Sequence, residues 1–294
     1  MISIVFFVII GLGVMFFAKI VLAAISLLIY NNMVQCFGKS TYKCAKRCSV
    51  FLMQNCCDNA KSVGIDGEYT MKIGFFTAME KEAASFVENV KPQKIADFVV
   101  YEFALGEHDA VLCMPPSVGE IAAAAACQLL ISRYNVDCVL NFGIVGGVTE
   151  QMSSEKAVYV GSVVHYDMDT SQIDKCPVGY YECFDGTIVY CDKALLDKAL
   201  NILPLPVVRC ASADKFVADP KQKSLLASRF DADICDMESA AALFVCKFNN
   251  VPFLSVKCIS DTLFGGENEY WQNAKNMSEM LRGLSEKLCR SLDK

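Results

Sequence analysis

The sequence from about Met71 onward predicts an α/β fold built on a largely parallel or mixed sheet, and three observations carry that expectation. Apolar, β-branched runs alternate with helix-patterned segments along the whole stretch. Several of those runs are continuously apolar rather than alternating, as strands covered on both faces are. No internal repeat or second boundary interrupts the alternation, so residues 71–294 read as one domain.

Taken in order, Lys72–Phe76, Phe98–Ala104, Ala110–Met114, Cys138–Phe142, Ala157–Val164 and Phe253–Ile259 read as strands. Gly119–Tyr134 is alanine-rich and helical, Glu238–Phe248 is an apolar helix, and the amphipathic tail from about Trp271 to Leu292 is a third. Ahead of them, Ile2–Ala18 carries no charge, Lys19 follows, and Ile20–Tyr30 is apolar again. The run exceeds the ~20 residues that cross a bilayer as a helix. Residues 1–33 therefore read as an N-terminal apolar helix serving as an uncleaved transmembrane anchor, because the basic start of a secretory signal is missing. Lys39, Lys43, Lys46 and Arg47 follow it and no Lys or Arg precedes it, an asymmetry that puts the C-terminal domain in the cytoplasm. Residues 34–70 form a linker containing Cys and Lys. The alternative is an untranslated extension and a soluble cytoplasmic protein.

Composition narrows the function classes. The 294 residues are 54% hydrophobic with a mean hydropathy of +0.34, and the net charge is −6. No basic stripe appears in the long C-terminal part, which argues against nucleic acid as a partner. Cys113, Cys127, Cys138, Cys246 and Cys258 sit inside apolar runs, as small buried hydrophobes rather than disulfide partners. Only two histidines exist and no CxxC or HExxH spacing occurs, so neither a metal nor a cofactor is expected.

In an open α/β sheet, ligands gather beyond the carboxyl ends of the strands. Four segments fall at such strand-to-helix junctions: Thr77–Glu82, Asn141–Gly147, Asp236–Ala240 and Ile259–Thr262. Singly, each has a plain structural reading. Glu82 is a first-turn helix residue, Asp236 an N-cap, Asp261 a cap after its strand, and the glycines a turn. Together they bring three carboxylates, Glu82, Glu238 and Asp261, to one crevice, the equipment for departure of a sugar substituent.

The run Met71–Glu82 (MKIGFFTAMEKE), Asn141–Gly147 (NFGIVGG), Tyr166–Asp169 (YDMD), Asp236–Glu238 (DME) and Val256–Asp261 (VKCISD) resemble, in order and approximate spacing, the bacterial methylthioadenosine/S-adenosylhomocysteine nucleosidases of the purine nucleoside phosphorylase superfamily. The resemblance implies a nucleoside phosphorylase-like, three-layer α/β/α fold with a central mixed sheet. It also implies a homodimer, and an N-ribosyl hydrolase that uses water to release adenine from 5′-thio-substituted adenosines. By the same resemblance Asp261 is the general acid toward purine N7 and Glu82 activates water. Glu238 holds the ribose hydroxyls and Met237 packs on the ribose. Phe216 stacks on the base and the Val217 backbone reads its edge, with Met79, Gly143 and Ser260 completing the substrate site. Ile144 stands where these enzymes usually carry Ser, Tyr166 replaces a common His, and Lys257 an Arg. Phosphate-dependent cleavage is the nearest competitor. It needs an anion cradle, yet Asn141 stands where bacterial nucleoside phosphorylases place an arginine. A non-catalytic nucleoside binder is the other alternative.

Overall fold

The computed structural model describes residues 70–83 and 87–289. In chain order the strands are β1 (Lys72–Phe76), β2 (Gln93–Ile95), β3 (Phe98–Leu105), β4 (His108–Met114), β5 (Cys138–Gly147), β6 (Ala157–His165), β7 (Val189–Tyr190), β8 (Val207–Ser212), β9 (Ile234–Asp236) and β10 (Phe253–Asp261). The helices are α1 (Glu80–Ala83), α2 (Glu120–Tyr134), α3 (Ser171–Asp174), α4 (Lys193–Ile202), α5 (Pro220–Phe230), α6 (Ser239–Phe248) and α7 (Gly266–Cys289).

All six expected strands and all three expected helices form, several of them longer than the sequence suggested. The strands join in one mixed sheet. β1 pairs parallel with β4 and β5, β5 parallel with β10, and β10 antiparallel with β6. β6 then runs parallel to β8 and β8 to β9, and β9 returns antiparallel to the end of β5 at Gly146 and Gly147. Five strands thus close on themselves, while β1, β4, β3 and β2 extend the sheet outward.

Helices cover both faces, which gives the three-layer arrangement. On one side Leu130 and Tyr134 of α2 and Leu243 and Phe244 of α6 pack with Val139, Val145 and Val160. On the other, Leu281, Leu284 and Leu288 of α7 and Leu195 and Ala199 of α4 pack with Phe75, Leu140 and Val256. Every residue of β10 is buried, as its unbroken apolar pattern requires.

Two expectations are corrected. Asn141–Gly147 is not a strand-to-helix junction, because β5 runs through it to Gly147. Its glycines are places where side chains from other elements, Glu82 and Lys257 at Gly143 and Asp261 at Gly146, press against the strand. The membrane-anchored localisation facing the cytoplasm is also overturned: no helix among the described residues is long and apolar enough to cross a membrane. The longest of them, α7, spans 24 residues but is amphipathic. The apolar helix over residues 1–33, and the linker up to residue 69, lie outside the described residues.

Candidate active site

Five strands bring residues to a cavity of about 600 Å³. Met79 lines it from the loop after β1, Ile144, Val145 and Gly146 from β5, and Cys235, Asp236, Met237 and Glu238 from β9 and the entry to α6. Ser260 and Asp261 come from the end of β10, Phe216 and Ala218 from the loop after β8, and Glu267, Tyr270 and Trp271 from the first turns of α7.

Asp261 reaches the cavity because β10 slips register against β5 between Ile259 and Asp261. Such an irregularity re-aims side chains, so that the consecutive Ser260 and Asp261 both face the cavity. The Asp261 carboxylate is 1% exposed and both its oxygens are engaged. Ser260 Oγ donates to Oδ1 at 2.7 Å and Lys223 Nζ to Oδ2 at 2.5 Å. A Cβ on Gly146 would stand 3.2 Å from Oδ2 and 3.4 Å from that ammonium, so glycine is what lets the pair lie against β5.

Glu82 is held against β5 at Gly143 and Ile144. Its Oε2 accepts from the Ala78 and Met79 N–H groups, each at 3.0 Å, and Oε1 from the Ile144 N–H at 3.0 Å. Burial pushes its pKa up; the Lys257 ammonium and the three N–H groups pull it down, and burial wins. Where the nucleosidases usually carry Ser, Ile144 therefore supplies a backbone donor to Glu82 and an apolar side chain to the cavity wall.

Between these lies a carboxylate cluster around one cation. Lys257 is 2% exposed and pairs with Asp236 Oδ2 at 2.9 Å. Burial works against its charge, but Asp236 and Glu238 raise its pKa overall. Burial likewise raises Asp236, yet Lys257 and the Ser239 hydroxyl and N–H win and hold it below the usual carboxylate range. Glu238 accepts from the Gly119 N–H at 2.9 Å. Burial and the neighbouring Asp236 drive its pKa up to about 7 against the pull of Lys257.

Of the residues expected from sequence, Asp261, Glu238, Met237, Phe216, Ser260 and Met79 line the cavity. Glu82 and Gly143 sit one layer behind: a Cβ on Gly143 would lie 3.1 Å from Glu82 Oε1 and 3.3 Å from Lys257 Nζ. The Val217 side chain packs away from the cavity among Val148, Val164 and Leu226. Sequence reasoning missed Lys223 and, in the aromatic wall, Tyr270 and Trp271. In that wall Phe216 meets Tyr270 edge to face at 5.5 Å and Tyr270 meets Trp271 at 5.2 Å, with Lys81 Nζ 4.6 Å above the Tyr270 ring. A signal for Lys223 existed, since it precedes Leu226 and Phe230 at helical spacing and so falls on the apolar stripe of α5. Among the described residues no group of His, Cys, Asp or Glu is placed to hold a metal ion.

A mixed α/β sheet with a deep, carboxylate-lined cavity of nucleoside size at its strand ends defines a class of small-molecule enzymes that work by acid–base chemistry. The chain belongs to the phosphorylase superfamily, whose family model matches residues 72–292. Among curated relatives, the 5′-methylthioadenosine/S-adenosylhomocysteine nucleosidase of Tolumonas auensis is 29% identical over 241 residues, covering 74% of this chain and all of that one. The enzyme of the same name from Shewanella oneidensis is 31% identical over 204 residues, covering 65% and 84%. The crystal structure of the Helicobacter pylori 5′-methylthioadenosine/S-adenosylhomocysteine nucleosidase superimposes with a TM-score of 0.71 at 20% identity, over 76% of this chain and all of that one. The futalosine hydrolase of the same organism also gives 0.71 at 20% identity, over 76% and 99%. These structural likenesses establish the nucleoside phosphorylase-like fold, and the family model and the curated relatives bear out the resemblance read from the motifs.

Proposed function

We propose that the domain hydrolyses the N-glycosidic bond of 5′-thio-substituted adenosines, releasing adenine from 5′-methylthioadenosine and S-adenosylhomocysteine. One observation carries the choice of hydrolysis: the cavity bears acids from several sides and no Arg or Lys among its lining residues. Both buried ammonium groups nearby are committed to carboxylates, Lys223 to Asp261 and Lys257 to Asp236. Among the described residues that line the cavity, an incoming phosphate would find no cation to cradle it. Asn141 is used up in the sheet, donating to the Phe76 carbonyl at 3.2 Å and accepting from Ser255 Oγ at 2.9 Å. The names of the curated relatives support the same bond and the same substrates.

In this reading Asp261 protonates purine N7, so that the C1′–N9 bond breaks with a neutral base leaving. Glu82, made more basic by burial, takes the proton of the attacking water. Glu238 accepts hydrogen bonds from the ribose hydroxyls, and its charge favours the oxocarbenium ion that develops. Met237 packs on the ribose, Phe216 and the Val217 backbone hold the base, and Gly143 and Ser260 support the two acids. Met79, Tyr270 and Trp271 offer an apolar, aromatic wall suited to a thioether. The chain works as a homodimer: Ile121, 84% exposed, and Val118 form an apolar surface beside the cavity that a second copy would cover. Light scattering on the purified protein reads that state directly.

The deciding assay is adenine release by the full-length protein from 5′-methylthioadenosine, S-adenosylhomocysteine and adenosine, with and without phosphate. Release that ignores phosphate is expected. Dependence on phosphate would make the protein a phosphorylase, and tight binding without turnover a binder.

A further inference from the structure

Lys223 belongs to no motif in the sequence, yet it is the most completely buried cation beside the cavity, with no exposed surface. It rises from α5, whose N-cap is Asp219, and crosses behind the end of β10. There its ammonium donates to Asp261 Oδ2 at 2.5 Å and to the Thr262 carbonyl at 2.7 Å. Asp261 lines the cavity and Lys223 does not, so a ligand meets the carboxyl group with the ammonium behind it. A bare structural pair is a poor explanation, because burying two charges rarely gains stability over apolar packing of similar size.

We propose that Lys223 is the positioning residue of the acid, an inference that rests on Asp261 being the proton donor. As the C1′–N9 bond breaks, its electron pair moves onto the base and the Asp261 proton moves to N7, leaving a carboxylate in a buried site. Lys223 stands within hydrogen-bond reach of the charge that appears there, and it is already oriented before the reaction begins. Groups aimed in advance at developing charge contribute most where water is excluded. Ser260 and Lys223 also grip opposite oxygens of the same carboxyl, which fixes its plane toward the cavity. The pair returns to its starting state when the proton released from the attacking water is passed back through solvent.

The test compares two leaving groups in full-length protein: 5′-methylthioadenosine, which needs N7 protonation, and a 4-nitrophenyl 5-methylthioriboside, which departs without it. Removal of one preorganised donor costs about 10²–10³ in kcat, and that loss is expected for Lys223→Met and Lys223→Gln on the nucleoside, with KM within about threefold. The ratio of nucleoside to aryl-riboside turnover falls in step, and Lys223→Arg restores most of it. Lys223→Gln, which keeps a hydrogen bond without the charge, serves if Lys223→Met does not fold at the assay temperature. Equal losses on both substrates, or nucleoside kcat near wild type in Lys223→Gln, would overturn the proposal. Asp261→Asn is the separate control. If it fails to change the ratio, the acid assignment itself falls, whatever Lys223 does.

Discussion

Both sides of the cavity are built on a buried lysine, but the two ammonium groups face different surroundings. At the β10 end Lys223 meets one cavity-lining acid, Asp261, so one ammonium serves one carboxyl group. At the other side Lys257 pairs with Asp236 while Glu238 and Glu82 also feel its field. Three carboxylates there share one cation. Burial is what raises both Glu82 and Glu238, the latter to about 7 with Asp236 adding to the push, while Asp236, in direct contact with the ammonium, is held low. The difference suits the chemistry proposed. One side delivers a proton and must then hold a charge, and the other must accept a proton and face a developing cation.

Removing Glu82 should have the largest effect and separates the two sides most cleanly. General acid–base groups contribute about 10²–10⁴ in rate, and Glu82→Gln is expected to lose that much. Unlike changes at Asp261 or Lys223, it should do so on the nucleoside and the aryl riboside alike, since both need activated water. Steady-state kinetics on the two substrates reads the contrast, and a loss confined to the nucleoside would collapse it. Next comes Lys257→Met, which strands Asp236 between Glu238 and the protein interior. Breaking a buried pair from one side costs about 3–5 kcal/mol, so urea unfolding should show a midpoint well below wild type. An unchanged midpoint would mean that Lys257 carries no structural charge.

The asymmetry between the two lysines was only partly legible in the sequence. The edges of β1, α2 and α6 and the core of β10 follow from apolar runs and helix-starting residues that act locally. Asp261, Glu238 and Glu82 could be grouped because strand ends in α/β sheets share one crevice. The closure of β5 onto β9 could not be read, since it depends on two residue pairs between Gly146–Gly147 and the three-residue strand β9. The spacing of Lys223, Leu226 and Phe230 could put Lys223 on the buried face of α5, but not name the acid it meets. Only the sheet's closure brings Lys223 against Asp261. Tyr270 and Trp271 joined the site because α7 begins at Gly266, earlier than its amphipathic pattern suggested.

The burial of Glu238 beside Asp236 predicts a pH signature. Glu238 moves from an ordinary 4.5 to about 7 in the folded protein. Between those values the native chain keeps a proton that the unfolded chain has released. Its contribution to stability is therefore full below about 4.5 and is lost as pH rises through about 7. Glu238→Gln should flatten that part of the stability–pH curve, measured by urea unfolding from pH 5 to 8. In the same range the wild-type KM for the nucleoside should rise as pH falls below about 7, because a protonated Glu238 accepts ribose hydrogen bonds less well. A KM independent of pH there would remove Glu238 from ribose binding.

The smallest expected effect is the sharpest probe of how closely the two sides are fitted. Gly143 has no side chain where β5 passes between Glu82 and Lys257, and an added Cβ would stand 3.1 Å from Glu82 Oε1 and 3.3 Å from Lys257 Nζ. Both distances are tight, and both neighbours are pinned: Glu82 by three backbone N–H groups and Lys257 by Asp236. Gly143→Ala should therefore push Glu82 by a few tenths of an ångström rather than unfold the chain. A misplacement of 1 Å can cost about 10²-fold, so a loss of about tenfold in kcat, again on both leaving groups, is expected for this smaller shift. The ratio of nucleoside to aryl-riboside turnover should stay at the wild-type value, because nothing at the Asp261–Lys223 end is touched. A change in that ratio would show the two sides to be coupled through β5 and would end their treatment as separate devices.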